Sequence, residues 1–213
     1  MKFLNRQTRA QVFKLSPFAD NFIAQMQQSF ASELDVNNKA ESALLRKYYD
    51  HQLPSYHQAM IIEEHAVMAY IAADRETYFR DLPLPVFFSK LETEQLFFID
   101  FLDTSMSDFP FENFRKRNSL KKMLGGSLAV DAFSLNAIDV VKVLELFYFS
   151  KRYERSAITM IADGRMPVAL RLCKDGNFHI NYLAEYESKV RDAAVDAGFI
   201  VGDIDLCWNY KVE

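Results

Sequence analysis

Between Ser156 and Glu187 the chain reads SAITMIADGRMPVALRLCKDGNFHINYLAEYE, three runs rich in Val, Ile, Leu and Tyr cut by Asp163-Gly164 and by Asp175-Gly176-Asn177. Both interruptions supply residues that tolerate positive φ, which a tight turn between antiparallel strands demands. The segment therefore reads as a three-stranded meander. Nothing in it looks catalytic.

The first two-thirds reads mainly as helix. Pro17 to Leu34 places Phe18, Phe22, Ile23, Met26 and Phe30 at three- and four-residue spacings, so that one face is buried while Asp20, Gln25, Gln27 and Gln28 stay wet. After the polar break from Asp35 to Asn38, the pattern resumes from Lys39 to Tyr49. Pro54, Ser55 and Gln58 resemble a helix entry, and the good helix formers from Tyr56 to Ala73 predict a helix there. Pro83 and Pro85 predict a loop or joint near Arg80 to Pro85. Leu91 to Leu102, with Leu96, Phe97, Phe98, Ile99, Phe101 and Leu102, is too apolar for a free surface helix and must be covered. Phe114 to Leu124 reads as a short basic helix, stopped by Gly125-Gly126. Beyond it the sequence predicts a strand at Leu128 to Phe133 and a helix with Asn136 near its start running to Phe149. The meander comes next, then a helix from Tyr186 to Ala197 and a final strand from Phe199 to Tyr210. The fold class is thus α+β, a mainly helical region over 1–126 followed over 127–213 by a mainly antiparallel sheet with two helices.

With 213 residues, 50% of them hydrophobic, including 19 Phe and 10 Tyr, and 25% charged, the chain can bury a sizeable core and is not wholly disordered. A net charge of -4 argues against coating nucleic acid by bulk charge, although a local basic face is allowed. Charges interrupt every apolar run before the roughly 18 to 20 residues that a membrane span needs. The N-terminus lacks the continuous apolar stretch of a secretory signal. A soluble, cytoplasmic protein with no membrane contact is expected, and its two cysteines, Cys173 and Cys207, have no CxxC spacing and read as reduced and buried.

Candidate chemistry is sparse. His51, His57 and His65 lie near Asp50, Glu63 and Glu64, but on a helix His57 and Glu64 are about 10 Å apart along the axis, too far to share one ion unaided. A polar helix face is the stronger reading of that cluster. Gly125-Gly126-Ser127 follows a helix instead of preceding one, the wrong polarity for a phosphate loop. No GxSxG elbow is present, and His179, alone on its strand, reads as a cross-strand residue. No catalytic residue, metal ligand or cofactor site is assigned, and no cofactor is expected.

Charge is more informative. Six acids and no base lie between Glu92 and Glu112, and then Arg115, Lys116, Arg117, Lys121 and Lys122 fall within eight residues. Part of this cluster forms one positive patch able to meet phosphates or an acidic partner, against the alternative of a solvated helix face. In Asp108-Phe-Pro-Phe-Glu-Asn-Phe114 the proline-containing connector must dock Phe109 and Phe111, either on the parent domain or on a partner.

The order of elements from Val140 to Glu187, a helix followed by strands at Ile158 to Ile161, Met166 to Leu170 and Phe178 to Ala184, resembles the last repeat of the DNA sliding clamps. The resemblance covers about 50 residues and rests on apolar spacing, Pro167 and the Leu183-Ala184 ending. It implies a non-enzymatic platform whose helices face DNA, with Lys142 the matching base. Unlike a clamp chain, this one starts with helices and continues past Glu187.

The leading expectation is a non-catalytic protein acting through macromolecular contacts, a protein partner foremost and nucleic acid through the basic patch, with a clamp-like or processivity-type factor as its sharpest form. One alternative is a regulator that neutralises a protein partner, of the immunity-protein type. The other is a small metal-dependent hydrolase using His51, His57, Glu64 and His65.

Overall fold

Strands drawn from both halves of the sequence meet in one antiparallel sheet, whose central strands β3, β4 and β5 are buried on both faces and need a helical layer on each. The computed structural model describes residues 4–32, 35, 37–48, 62–148, 158–163, 166–173, 175–203 and 205–209, with backbone alone for 44–48, 62–65 and 208–209. The strands are β1 (Asn5–Gln7), β2 (Ile62–Ala69), β3 (Gln95–Ile99), β4 (Ala132–Asn136), β5 (Thr159–Ala162), β6 (Val168–Leu172), β7 (Phe178–Leu183) and β8 (Ile200–Gly202). Among the described residues they lie in the order β1-β4-β3-β5-β6-β7-β2-β8, every neighbouring pair antiparallel.

The helices are α1 (Arg9–Leu15), α2 (Pro17–Ser32), α3 (Lys39–Tyr48), α4 (Arg75–Asp81), α5 (Leu84–Lys90), α6 (Phe114–Met123), α7 (Val141–Phe147), α8 (Glu187–Asp196) and α9 (Leu206–Asn209). The fold is α+β, and α1 to α6 all precede residue 126.

Two-residue alternation along the strands decides which layer each side chain meets. Leu96 and Phe98 of β3, Phe133 and Leu135 of β4, Met160 of β5, Leu170 of β6, and Phe178 and Ile180 of β7 join the larger core with α4 to α8. Phe97 and Ile99, Ala132, Ile161 and Ala169 point the other way, onto Val12 of α1 and Phe18, Ala19, Phe22 and Ile23 of α2. Phe147 of α7 is the hub of the larger core. It meets the stacked pair Phe98 and Phe133, and also Phe109, at ring-centroid distances of 5.9, 6.0 and 5.1 Å. The run over 91–102 is covered as its composition requires, but as a strand with a layer on each side.

Local signals start the second layer. Thr8 and Gln11 form a reciprocal capping box at α1, and the Ser16 hydroxyl accepts the Ala19 N–H beside Pro17, the first residue of α2. Arg9, although buried, donates through Nη1 to the carbonyls of Asp100 (2.6 Å) and Leu102 (2.9 Å), and its Nε lies 3.6 Å from the Asp103 carboxylate. Gln27 of α2 donates to the Phe101 carbonyl at 2.7 Å. The backbone leaving β3 has thus exchanged water for two buried side chains of the second layer, which satisfies carbonyls that would otherwise be stranded.

Three expectations are corrected. Gln27, read as part of a wet face, is buried because its amide serves the Phe101 carbonyl. The predicted helix from Tyr56 to Ala73 is, over its described part, strand β2, paired with β7 on one side and β8 on the other. Its Glu, Ala and Met favour helix intrinsically, but sheet pairing and full burial of Ala66, Val67, Met68 and Ala69 override that propensity. The predicted last strand from Phe199 to Tyr210 stops at Gly202. The Leu206 N–H bonds to the Asp203 carbonyl, and the chain turns into α9, which packs on β2.

Phe98, with no exposed surface, and Ile138, 75% exposed, give a direct contrast. Phe98→Ala is expected to lower unfolding stability by about 3–5 kcal/mol and Ile138→Ala by no more than about 0.5 kcal/mol, both read from urea denaturation. Equal losses for the two would contradict the burial of Phe98 in the larger core.

Candidate functional site

The basic helix forms as the sequence predicts. Asn113 caps α6 by accepting the Lys116 N–H, and at the other end Gly125 and Gly126, both at positive φ, donate to the carbonyls of Lys122 and Lys121. Its bases do not act alike. Lys116 turns inward, with its Nζ 2.7 Å from the Glu112 carboxylate and 2.8 Å from the Tyr148 carbonyl. Leu120, one turn on, is fully buried. Arg115, Lys121 and Lys122 are exposed, Arg117 is half-buried, and among the described residues none of the four has an acidic partner. Phe114 is 71% exposed and, at i, i+3 and i+7, shares a helical face with Arg117 and Lys121.

Phe109 and Phe111 do not join this surface. Phe109 is buried against Phe147, and Phe111 packs beside both rings. The connector's aromatics dock on the larger core, the first of the two fates open to them in sequence. Arg6 of β1 sits at the far end of α6, donating through Nε to the Leu124 carbonyl at 3.0 Å.

A second constellation was not legible in the sequence. The β6–β7 hairpin turns at Gly176, whose φ of 87° needs a residue without Cβ. Its N–H donates to the Cys173 carbonyl, and the Cys173 N–H donates to Asn177. Cys173 therefore lies just after β6 and His179 inside β7, on the sheet face away from the larger core. Gly202 at the end of β8 lets Leu206 approach, and α9, lying over β2, carries Cys207 to the same place. The two sulfurs are 4.0 Å apart, and Cys207 Sγ is 3.4 Å from His179 Nε2. One donor atom from each residue lies within 4.8 Å of the others, a set with the chemistry of a soft metal centre or a thiol pair.

The environment splits the thiols. Burial pushes Cys173 up, but its hydrogen bond with His179 and the backbone N–H groups of Asp175 and Asn177 outweigh this and hold it below the ordinary thiol value. Cys207 is pushed up to about 12, first by burial and then by the charge of Cys173. Sequence reading placed His179 as a lone cross-strand residue, because its partners lie 6 residues before it and 28 after it and only the sheet and α9 bring them together.

Of the histidine-rich candidates, His51 and His57 lie outside the described residues. Glu64 and His65 belong to β2, with backbone alone described and a register shift between Glu64 and Ala66, so helical spacing does not apply to them. Among the described residues no helix is long and apolar enough to cross a membrane.

The hairpin carrying Cys173 and His179 is anchored from the larger core. The hydroxyl of Tyr78, fully buried in α4, donates to the Gly176 carbonyl, and burial holds its phenol well above the ordinary value, so it remains a donor. Tyr78→Phe leaves that carbonyl buried without its donor and is expected to cost about 1–3 kcal/mol in urea unfolding. An unchanged midpoint would show that the anchor contributes nothing. In comparisons with protein-family models, with curated proteins and with solved structures, nothing matches this chain.

Proposed function

We propose that this protein acts through macromolecular contact and that α6 presents its contact surface to a single-stranded nucleic acid. The observation that carries this reading is the exposed Phe114 on one helical face with Arg117 and Lys121, flanked by Arg115 and Lys122. A strand of nucleic acid offers what that surface lacks, phosphates for the cations and a flat base for the ring. An acidic protein would meet the charges but would need a separate apolar pocket for the phenylalanine, whereas one nucleotide supplies both phosphate and ring. Helix α7, by contrast, displays one base, Lys142, already paired with Asp139. The net charge of -4 confines binding to this patch, so affinity should be modest and strongly screened by salt.

Fluorescence anisotropy with labelled single-stranded and duplex oligonucleotides tests the reading. For single strands, log K should fall with log salt at a slope of about -2 to -3, since each neutralised phosphate contributes about -0.7. The triple variant Arg115→Glu, Arg117→Glu, Lys121→Glu should abolish binding while leaving the circular dichroism spectrum intact. Phe114→Ala should weaken single-strand binding by about 1–3 kcal/mol and barely affect duplex. Affinity indifferent to salt, or unchanged in the triple variant, would contradict the proposal.

A further inference from the structure

We propose that Cys173, His179 and Cys207 form a metal site for a zinc-class ion, with three protein ligands and a fourth position left for water. A tetrahedral zinc, with Zn–S near 2.3 Å and Zn–N near 2.0–2.1 Å, spaces two sulfurs by about 3.8 Å and sulfur from nitrogen by about 3.6 Å. The sulfurs here are 4.0 Å apart and Cys207 Sγ is 3.4 Å from His179 Nε2, within a few tenths of an ångström of those edges, and all three donors lie within 4.8 Å of one another, so that the Cys173 and His179 side chains close in on a bound ion. A disulfide would use the two sulfurs alone and leave the imidazole without a part.

The surroundings suit coordinated thiolates. The Cys173 N–H donates to the Asn177 carbonyl and the Gly176 N–H to the Cys173 carbonyl, which fixes the turn that carries the sulfur. Such outer hydrogen bonds fix and tune soft ligands. Two thiolates and an imidazole select zinc, cobalt or similar ions over magnesium and calcium, which take oxygen donors. On binding, each cysteine releases its thiol proton and His179 coordinates as neutral imidazole through Nε2. The ion then joins α9, a four-residue helix too short to persist alone, to the β6–β7 hairpin.

Spectroscopic titration of the full-length protein, reduced and stripped with chelator, tests the site with Co²⁺ and then Zn²⁺. Wild type should develop sulfur-to-cobalt charge-transfer and tetrahedral d–d bands, saturating at about one ion per chain and lost when zinc displaces cobalt. Cys173→Ser and Cys207→Ser should each remove most of the charge-transfer intensity, and His179→Gln should weaken cobalt binding at least about tenfold. Zinc should raise the Tm of wild type and leave that of the doubly substituted Cys173→Ser, Cys207→Ser protein unmoved. Absence of the charge-transfer band in wild type would overturn the proposal whether or not the variants fold. So would its full retention in Cys207→Ser, or a Cys173–Cys207 disulfide in protein isolated under native conditions with free thiols trapped at lysis.

Discussion

Strand β3 can exist only between two covering layers, and that requirement organises the molecule. Leu96 and Phe98 point one way, Phe97 and Ile99 the other, and all four are essentially without exposed surface. An antiparallel sheet with one wet face would leave half of these side chains in water, at about 1.5–3 kcal/mol for each large one. The chain answers with α4 to α8 on one face and α1 and α2 on the other. Polar groups follow from the same requirement. Once the second layer closes over the exit of β3, the carbonyls at 100–102 lose water, and Arg9 and Gln27 supply their donors.

The two candidate sites lie toward opposite ends of the strand order. α6 is tied to the edge strand β1 through Arg6 and the Leu124 carbonyl, whereas the thiol and imidazole groups collect where β6 and β7 meet α9 over β2. Each is held by a rigid element behind it: Leu120 and Lys116 fix α6 to the core, and Tyr78 fixes the Gly176 turn. Functional groups borne on loops gain precision from such backing. The central strands, apolar on both faces, are devoted to packing.

Legibility in the sequence followed the range of the interactions involved. The meander was readable because Gly176 and the alternating runs are local signals, and α6 because Asn113, the basic run and Gly125-Gly126 sit within fourteen residues of one another. β2 reads as helix because its residues favour helix, and only distant partners, β7 and β8, make it a strand. β3 announced burial but not its form, since a short apolar run suits either a buried helix or a strand covered on both sides. The metal-ligand geometry was invisible for the same reason: Cys173 and Cys207 are 34 positions apart, and nothing near either residue marks the other.

Native-state amide hydrogen exchange tests the two-layer account most directly. The account predicts that the amides of β3 and its neighbours β4 and β5 are the slowest in the molecule and exchange only through global unfolding, at the same free energy as the buried turns of α2 that cover them. Exchange of β3 through local opening, well below the global unfolding free energy, would contradict it.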